Sequence, residues 1–402
     1  MGCRRARSRQ GPLHPRPWRP DHGDQARHGP PDAPADRRPD RTAGALQPAP
    51  ADEGGRARGA HQAARGHTLN VWQVLSGAGP VDAVSRQALA FRERFRGWGW
   101  GGRDVAAFID PRAKGFEPLR ALDPAPGDRL LIHYSAYAPR LRGVLDLPNR
   151  KLLLSHNVTP ARWLWDHDPP IALQCELGRR QLPEYAARCD VVAGVSLFNG
   201  SELGSDIVIP PIVDLAWVRH GGQPPQSHVL FVGRLAPHKR QDELIRAFAL
   251  YRRRHAPDAR LVLVGEPLND GYLRALQELG DRAGNVVFEH TLNESELAER
   301  YARASAFVCL SEHEGFCIPL LEAFAAGVPV IARPAGGVPE TAGDAALLDE
   351  DRDPSVTAEL IHLAAGDREL RDELARRGRE RLEVYRPERA AVALRAALER
   401  LS

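Results

Sequence analysis

Cysteine is scarce and unpatterned. The 402 residues hold five (Cys3, Cys175, Cys189, Cys309 and Cys317), an odd number with no CxxC pair and no histidine spacing of the zinc-binding kind. A reducing compartment fits such usage best. Long apolar runs are missing as well: none approaches the roughly 20 residues needed to span a bilayer, and the N-terminus has no apolar core of a signal peptide. The chain therefore reads as cytoplasmic, with contact at the cytoplasmic face of a membrane left open. A net positive charge is missing from the body of the chain. Residues 1–66 carry thirteen Arg against seven Asp plus Glu, a net +6, which leaves −3 for the remainder of a chain whose total is +3. A nucleic-acid-binding body would show a concentrated basic face, so no nucleic-acid partner is expected and only the arm offers a polyanion contact.

What is present divides the chain into parts. A length of 402 exceeds what one core usually serves and suggests two α/β domains. Residues 1–66 are rich in Arg, Pro, Gly, Ala, Asp and His and nearly free of β-branched and large aliphatic side chains. Such a segment cannot bury enough surface to offset its ordering entropy, and a disordered arm is predicted. The alternative is that the protein proper starts near Thr68 and the arm is upstream GC-rich sequence. Beyond it, short apolar runs alternate with longer amphipathic stretches, the pattern of a parallel sheet covered by helices. Strands are predicted at 69–75, 104–109, 129–134, 151–155, 191–195 and 207–209. The stretch 221–227 (GGQPPQS) then reads as a linker. A second series predicts strands at 228–232, 260–264, 286–289, 306–310 and 329–332, with helices at 242–255, 271–281, 294–303 and 318–326. Two such domains, 67–220 and 221–385, leave a cleft facing the carboxyl ends of their strands, where open α/β sheets bind ligands.

Two segments carry chemistry. In Val232-Gly233-Arg234-Leu235-Ala236-Pro237-His238-Lys239, a glycine at a strand tip lets a ligand approach the backbone. Arg234 and Lys239 place two cations beside a helix N-terminus, which favours a diphosphate, although the same residues would suit a solvated basic loop. In Glu312-His313-Glu314-Gly315-Phe316-Cys317-Ile318-Pro319-Leu320-Leu321-Glu322, Glu314 is placed in the loop over the cleft and Pro319 in a first helical turn. Glu322 then lies inside the helix among apolar neighbours, where an acid without a partner is costly to bury. The two carboxylates are separated by a helical path on the order of 12 Å, too far to share a proton or to act as a glycosidase pair. They suit instead the two ends of a long ligand, with sugar hydroxyls on the acids and phosphate on the amides between them. For Glu314 alone, a solvated helix-start acid is an equal reading.

Taken together, Gly233, Arg234, Lys239, Glu314, Glu322, the run Gly327-Val328-Pro329-Val330-Ile331-Ala332 and the run Gly336-Gly337-Val338-Pro339-Glu340 resemble the GT-B glycosyltransferases of family 4. The resemblance extends over residues 228–385. It implies two Rossmann-like domains about a central cleft, with a last helix at 386–402 crossing back to the first domain. It also implies a retaining, nucleotide-sugar-dependent transfer to a hydroxyl of a glycan, a lipid-linked sugar or a small molecule, with no cofactor beyond the nucleotide-diphosphate co-substrate. Arg234 and Lys239 would hold the diphosphate, and Glu322 the ribose. Glu314 would hold the transferred sugar, and the backbone of Gly315, Phe316, Cys317 and Ile318 the sugar and phosphate. The base would stack near Glu289-His290-Thr291, which stands where the family often carries glycine.

In the first half, Gly77 and Gly79 resemble the family's glycine loop, though an ordinary βα turn fits equally. His156, after the strand at 151–155, matches the family's active-site histidine, with His133 at the preceding strand end as its rival. Beside the proposed phosphate site there is no Asp-x-Asp cluster, so transfer without a metal is expected, with the leaving charge met by Arg234, Lys239 and a helix N-terminus. Two rival readings are a non-catalytic nucleotide-sugar-binding subunit and a phosphorylase or epimerase on the same fold.

Overall fold

The apolar runs become strands buried on both faces, as in sheets covered by helices on each side. In the computed structural model, which describes residues 69–80, 82–218 and 228–402, every residue of β1 (Val71–Leu75) and β5 (Lys151–Ser155) is buried. The arm 1–66 and the linker 221–227 lie outside the described residues. With β2 (Asp104–Ala106), β3 (Glu117–Pro118), β4 (Arg129–Tyr134) and β6 (Val191–Gly194), these strands form a six-stranded parallel sheet in the order β3-β2-β1-β4-β5-β6. The helices α1 (Ala83–Gly97), α2 (Pro169–Ala187) and α3 (Leu197–Ser201) accompany it.

A second parallel sheet repeats this topology. Its strands β7 (His228–Val232), β8 (Arg260–Val264), β9 (Val286–Glu289), β10 (Ala304–Cys309), β11 (Val330–Ala332) and β12 (Ala346–Leu348) run in the order β12-β11-β10-β7-β8-β9. Between and after them come α4 (Gln241–Arg254), α5 (Asp270–Ala283), α6 (Glu294–Ala302), α7 (Ile318–Ala326), α8 (Val338–Ala342), α9 (Pro354–Gly366), α10 (Arg368–Val384) and α11 (Pro387–Glu399). Each sheet reverses its strand order once, between β1 and β4 and between β7 and β10. Ligands of open α/β sheets bind at the carboxyl ends of such a reversal. His133 is the last residue but one of β4, Gly233 follows β7, and Glu314 lies on the loop after β10.

Helix α4 shows how the covering layer is held. Leu244, Ile245, Phe248 and Tyr251 are buried, while Arg253 and Arg254 face outward. Burial of such side chains contributes about 1.5–3 kcal/mol each. The acids Asp242 and Glu243 in its first turn and three arginines in its last suit the helix dipole at both ends. At the other end of the chain, α11 returns toward the first sheet. Arg129 of β4 donates to the carbonyl of Leu398 at 2.7 Å, and the Arg395 guanidinium lies 5.5 Å from the ring of Trp98. Leu394 and Leu398 join Phe91, Phe95, Leu320 and Phe324 in one buried cluster. The described residues of both sheets lie in one compact unit. Among the described residues, no helix is long and apolar enough to cross a membrane.

Several boundaries differ from the sequence-based expectation. The strand predicted at 207–209 is reduced to a single bridge between Gly194 and Val208. Pro210 and Pro211 follow directly and offer no N–H to extend a ladder. The strand predicted at 104–109 stops at Ala106, with one further bridge joining Ile109 to Ala78. The short edge strands β3 and β12, of two and three residues, have too little length for an alternating pattern to register.

The fully buried Phe248 gives a direct measure of the covering layer. Phe248→Ala is expected to lower the unfolding free energy by about 3–5 kcal/mol, read from urea denaturation.

Candidate active site

Two loops of the second sheet meet at its reversal point. After β7, Gly233 turns with φ 148°, and the segment proceeds through a 3₁₀ turn at Pro237–Lys239 into α4. Gln241, at the start of α4, donates from its side-chain amide to the carbonyl of Arg234 at 3.0 Å and keeps the loop folded. The loop after β10 is tied to it where the amide of Glu312 donates to the carbonyl of His238 at 2.7 Å. This registration brings Lys239 Nζ to 2.6 Å from Glu314 Oε1, and the Ser311 hydroxyl donates to the same oxygen at 2.7 Å. The pair is largely shielded, with side chains 18% and 10% exposed. Burial works against the Lys239 ammonium, but the Glu314 carboxylate outweighs it and raises the lysine above its ordinary range.

A buried ion cluster supports the second loop from below. Arg333 bonds Glu312 at 3.0 Å and Glu243 at 2.8 Å, and Arg352 reaches Glu312 from the solvent side at 3.0 Å. Removing one member of such a cluster leaves an uncompensated charge in a dry place. Beside Glu314 sit Cys309 and Cys317, whose sulfurs are 3.7 Å apart. Ligand atoms of Cys309, Glu314 and Cys317 lie within 4.8 Å of one another, but the Lys239 ammonium already occupies the cation position at the carboxylate.

From Glu314 onward the chain is shaped by close backbone packing. Gly336, at φ 60°, lies so near that a Cβ there would stand 2.2 Å from the Glu314 carbonyl, and the Gly337 amide donates to that carbonyl at 2.9 Å. Phe316 is buried with its ring edge-on to Tyr385, and Cys317 takes a left-handed conformation (φ 74°) immediately before α7. Ile318 is the first residue of that helix, which has no side-chain cap. Among the described residues, the amides of Gly315, Phe316 and Cys317 donate to no protein acceptor. Along the same helix, Glu322 is buried and accepts a hydrogen bond from the Tyr301 hydroxyl at 2.6 Å. Burial raises its pKa, opposed by Tyr301 and by Arg86 of α1 on the facing sheet. Arg234 is exposed, and its charge bears on Cys175 of α2.

The first sheet closes on these loops. Ser196 donates to the carbonyl of Gly315 at 2.6 Å, and His313 Nε2 donates to Asn157 Oδ1 at 2.7 Å. Glu340 accepts from the amide of Leu197 at 2.6 Å. A Cβ on Gly315 would stand 2.7 Å from Asn157 Cβ and 3.3 Å from the carbonyl of His156, so the glycine is what allows the two loops to meet. His156 thus follows β5 directly beside Gly315. Its rival His133 lies behind it, fully buried, with Nδ1 2.9 Å from His156 Nε2.

Other candidates sit differently. The Gly79 amide donates to Asp82 at 2.9 Å and to the Ser85 hydroxyl at 3.0 Å, so it is occupied by the cap of α1. Gly77 has room for a Cβ, with nothing nearer than 3.9 Å. In the loop after β9, His290 Nδ1 donates to the Gly265 carbonyl at 2.8 Å, Glu289 pairs with Arg300 at 2.7 Å, and Thr291 bonds Glu266. Ser196, which caps α3, also joins the two halves, and Asn157, Gln73 and Tyr301 carried no recognisable motif. Their only signal is position: Asn157 just after a strand, Tyr301 on a helix facing the site, and Gln73 as a polar residue inside an apolar strand.

Two six-stranded Rossmann-like sheets of the same order, meeting across loops at their carboxyl ends, define the GT-B fold. Residues 219–381 match the family described as glycosyl transferases group 1. Over 238 residues the chain is 31% identical to a D-inositol 3-phosphate glycosyltransferase of Segniliparus rotundus, covering 54% of this chain and 52% of that one. Over 126 residues it is 40% identical to a GDP-mannose-dependent alpha-(1-6)-phosphatidylinositol monomannoside mannosyltransferase of Mycolicibacterium smegmatis, covering 29% and 32%. The chain thus spans about half or less of the length of these curated relatives. Among solved structures, sucrose-phosphate synthase from Thermosynechococcus elongatus superposes with a TM-score of 0.64 at 18% identity, over 83% of this chain and 99% of that one. Anabaena HepE in complex with UDP-glucose superposes with a TM-score of 0.63 at 16% identity, over 82% and 99%. At such identities the likeness is one of fold.

Two outcomes test this geometry. Gly315→Ala is expected to cost about 1–3 kcal/mol in urea denaturation, because its methyl group must displace the 156–157 loop. The second concerns pH. Burial lowers the pKa of His156 to about 3, of His228 and His313 to about 4, and of His133 and His238 well below the usual histidine value. The unfolded chain therefore binds more protons than the folded one below about pH 6.5, and stability present above that pH is lost as pH falls toward these values. Each histidine contributes up to about 1.4 kcal/mol per pH unit in that window. A urea midpoint unchanged between pH 7 and pH 5 would contradict the burial of these rings.

Proposed function

We propose that the protein is a retaining glycosyltransferase of family 4 that moves a hexose-type sugar from a nucleotide-diphosphate donor to an acceptor hydroxyl, without a metal. The observation that carries this reading is the contact of Lys239 with Glu314 beside a helix start whose preceding amides have no protein partner. Amides with no protein partner among the described residues, beside an ammonium with N–H groups to spare, are the chemistry that receives a diphosphate. An ammonium has three N–H donors, so Lys239 can keep Glu314 with one and offer others to phosphate. Arg234, exposed at the mouth, adds a second cation. These groups meet the charge that develops on the departing diphosphate, the role otherwise given to a divalent cation.

Glu314, held by Lys239 and Ser311, has its remaining lone pairs for the hydroxyls of the transferred sugar, and Glu322 those of the ribose. His156 orients sugar or acceptor from the opposite side. In a retaining transfer the acceptor hydroxyl approaches the face that the diphosphate leaves, and a phosphate oxygen takes its proton. The hydrogen bonds of Ser196, Asn157 and Leu197 to the second sheet keep the halves together and water out of the cleft during transfer. Acceptors in the classes of glycan, lipid-linked sugar and small metabolite are all compatible with this site.

Glu314→Gln and Lys239→Ala are each expected to lower turnover about a hundredfold or more while the circular dichroism spectrum is unchanged. The assay presents a panel of nucleotide sugars with and without acceptors and reads nucleotide release and product mass. Rates near those of the unaltered protein in both variants would remove the basis of the assignment. Binding of a nucleotide sugar with no turnover across the panel would favour a non-catalytic subunit.

A further inference from the structure

Behind His156 runs a chain of buried hydrogen bonds that the proposed reaction does not use. His156 Nε2 lies 2.9 Å from His133 Nδ1, and His133 Nε2 lies 2.9 Å from Gln73 Oε1. The Gln73 side-chain nitrogen donates to Asp104 Oδ1 and to the Ala88 carbonyl, both at 2.8 Å. Asp104 in turn accepts from Arg92 at 2.6 Å, and Arg92 also donates to the carbonyls of Val71 and Gly101. Gln73 and His133 are 0% exposed, and Arg92 and Asp104 are buried.

Donor and acceptor bookkeeping allows one solution. Ala88 O and Asp104 Oδ1 are both acceptors, so only the NH₂ end of the Gln73 amide can face them. Its oxygen therefore faces His133 and requires a proton on His133 Nε2. Burial keeps the His133 ring neutral, so its Nδ1 carries a lone pair and accepts from His156. His156 must then carry its own proton on Nε2, and its Nδ1 is left with a lone pair. Among the described residues that Nδ1 has no protein partner, and it is not among the enclosed orphaned atoms, so it is open to the cleft.

We propose that Gln73, anchored by Asp104 and Arg92, acts through His133 as a positioning residue that holds His156 as its Nε2–H tautomer, so that His156 meets the substrate only as a hydrogen-bond acceptor for a hydroxyl group. The substrate part of this inference rests on the assignment of His156 to the transferase cleft. The tautomer does not, since it follows from the buried contacts alone. A ring fixed in this way selects a free hydroxyl at the position it faces and rejects an ether or a carbonyl there.

The test reads tautomer and turnover separately. In ¹⁵N long-range correlation spectra of the full chain at pH 7.5, with the His156 signal assigned from His156→Asn, the unaltered protein should show one tautomer, protonated at Nε2. A His156 protonated at Nδ1 would overturn the proposal without any activity measurement. Gln73→Met removes the acceptor and should yield a mixture of tautomers, with turnover at least tenfold lower and the donor KM changed less than threefold. Gln73→Glu is the conservative control. Its protonated side chain can donate to Asp104 and accept from His133, so it should keep the tautomer and most of the turnover. A Gln73→Met protein with mixed tautomers and undiminished turnover would refute the positioning role. Should the unaltered protein transfer no sugar, the proposed function fails while the tautomer still decides the relay.

Discussion

The contact between Lys239 and Glu314 organises the site, because together with the backbone bond from Glu312 to His238 it joins two loops whose paired residues are 75 apart in the chain. A carboxylate and an ammonium this well shielded are costly to separate, since either one alone would be a buried charge. Both loops are therefore held in register at the carboxyl ends of β7 and β10. The fit of Gly336 against the Glu314 carbonyl follows from that register, as does the placing before α7 of amides that have no protein partner among the described residues. Arg333 does for Glu312 what Lys239 does for Glu314, so the two acids, two residues apart, are held by different cations.

The second constraint is steric. The two sheets meet where the 156–157 loop touches Gly315, a distance that leaves no room for a side chain. Hydrogen bonds from Ser196, His313 and the Leu197 amide surround this point and make it a seam. The seam and the shared apolar cluster of α11 differ in kind. The seam is built from a few directional bonds at the cleft, whereas α11 contributes apolar burial to the cluster it shares with α1 and α7.

The two halves of the site are also prepared differently. In the second domain, the shielded charges Lys239 and Glu314 are paired and the remaining donors are backbone amides and the exposed Arg234. In the first, neutral histidines are linked to an ion pair through an amide. Burial explains both arrangements: a dry environment admits ions only in pairs and fixes neutral imidazoles in whichever tautomer their neighbours demand.

By itself the sequence determined the alternation of strands and helices, because parallel strands covered on both sides are written as continuous apolar runs and their helices as amphipathic ones. The strands at 129–134, 151–155, 228–232, 260–264 and 286–289 and the helix at 318–326 match the observed elements residue for residue. Local patterning also marked Arg234, Lys239, Glu314 and Glu322, since charged residues beside glycine at strand tips stand out from an apolar background. Only the tertiary structure decided which of these groups touch. That Lys239 reaches Glu314, that Tyr301 satisfies Glu322, that Gly79 is spent on a helix cap, and that His133 stands behind His156 all depend on packing between segments distant in the chain. No local pattern encodes such distances. Gln73 is the clearest case: one polar residue inside an apolar strand, its meaning set wholly by Asp104, Ala88 and His133, which the fold brings to it.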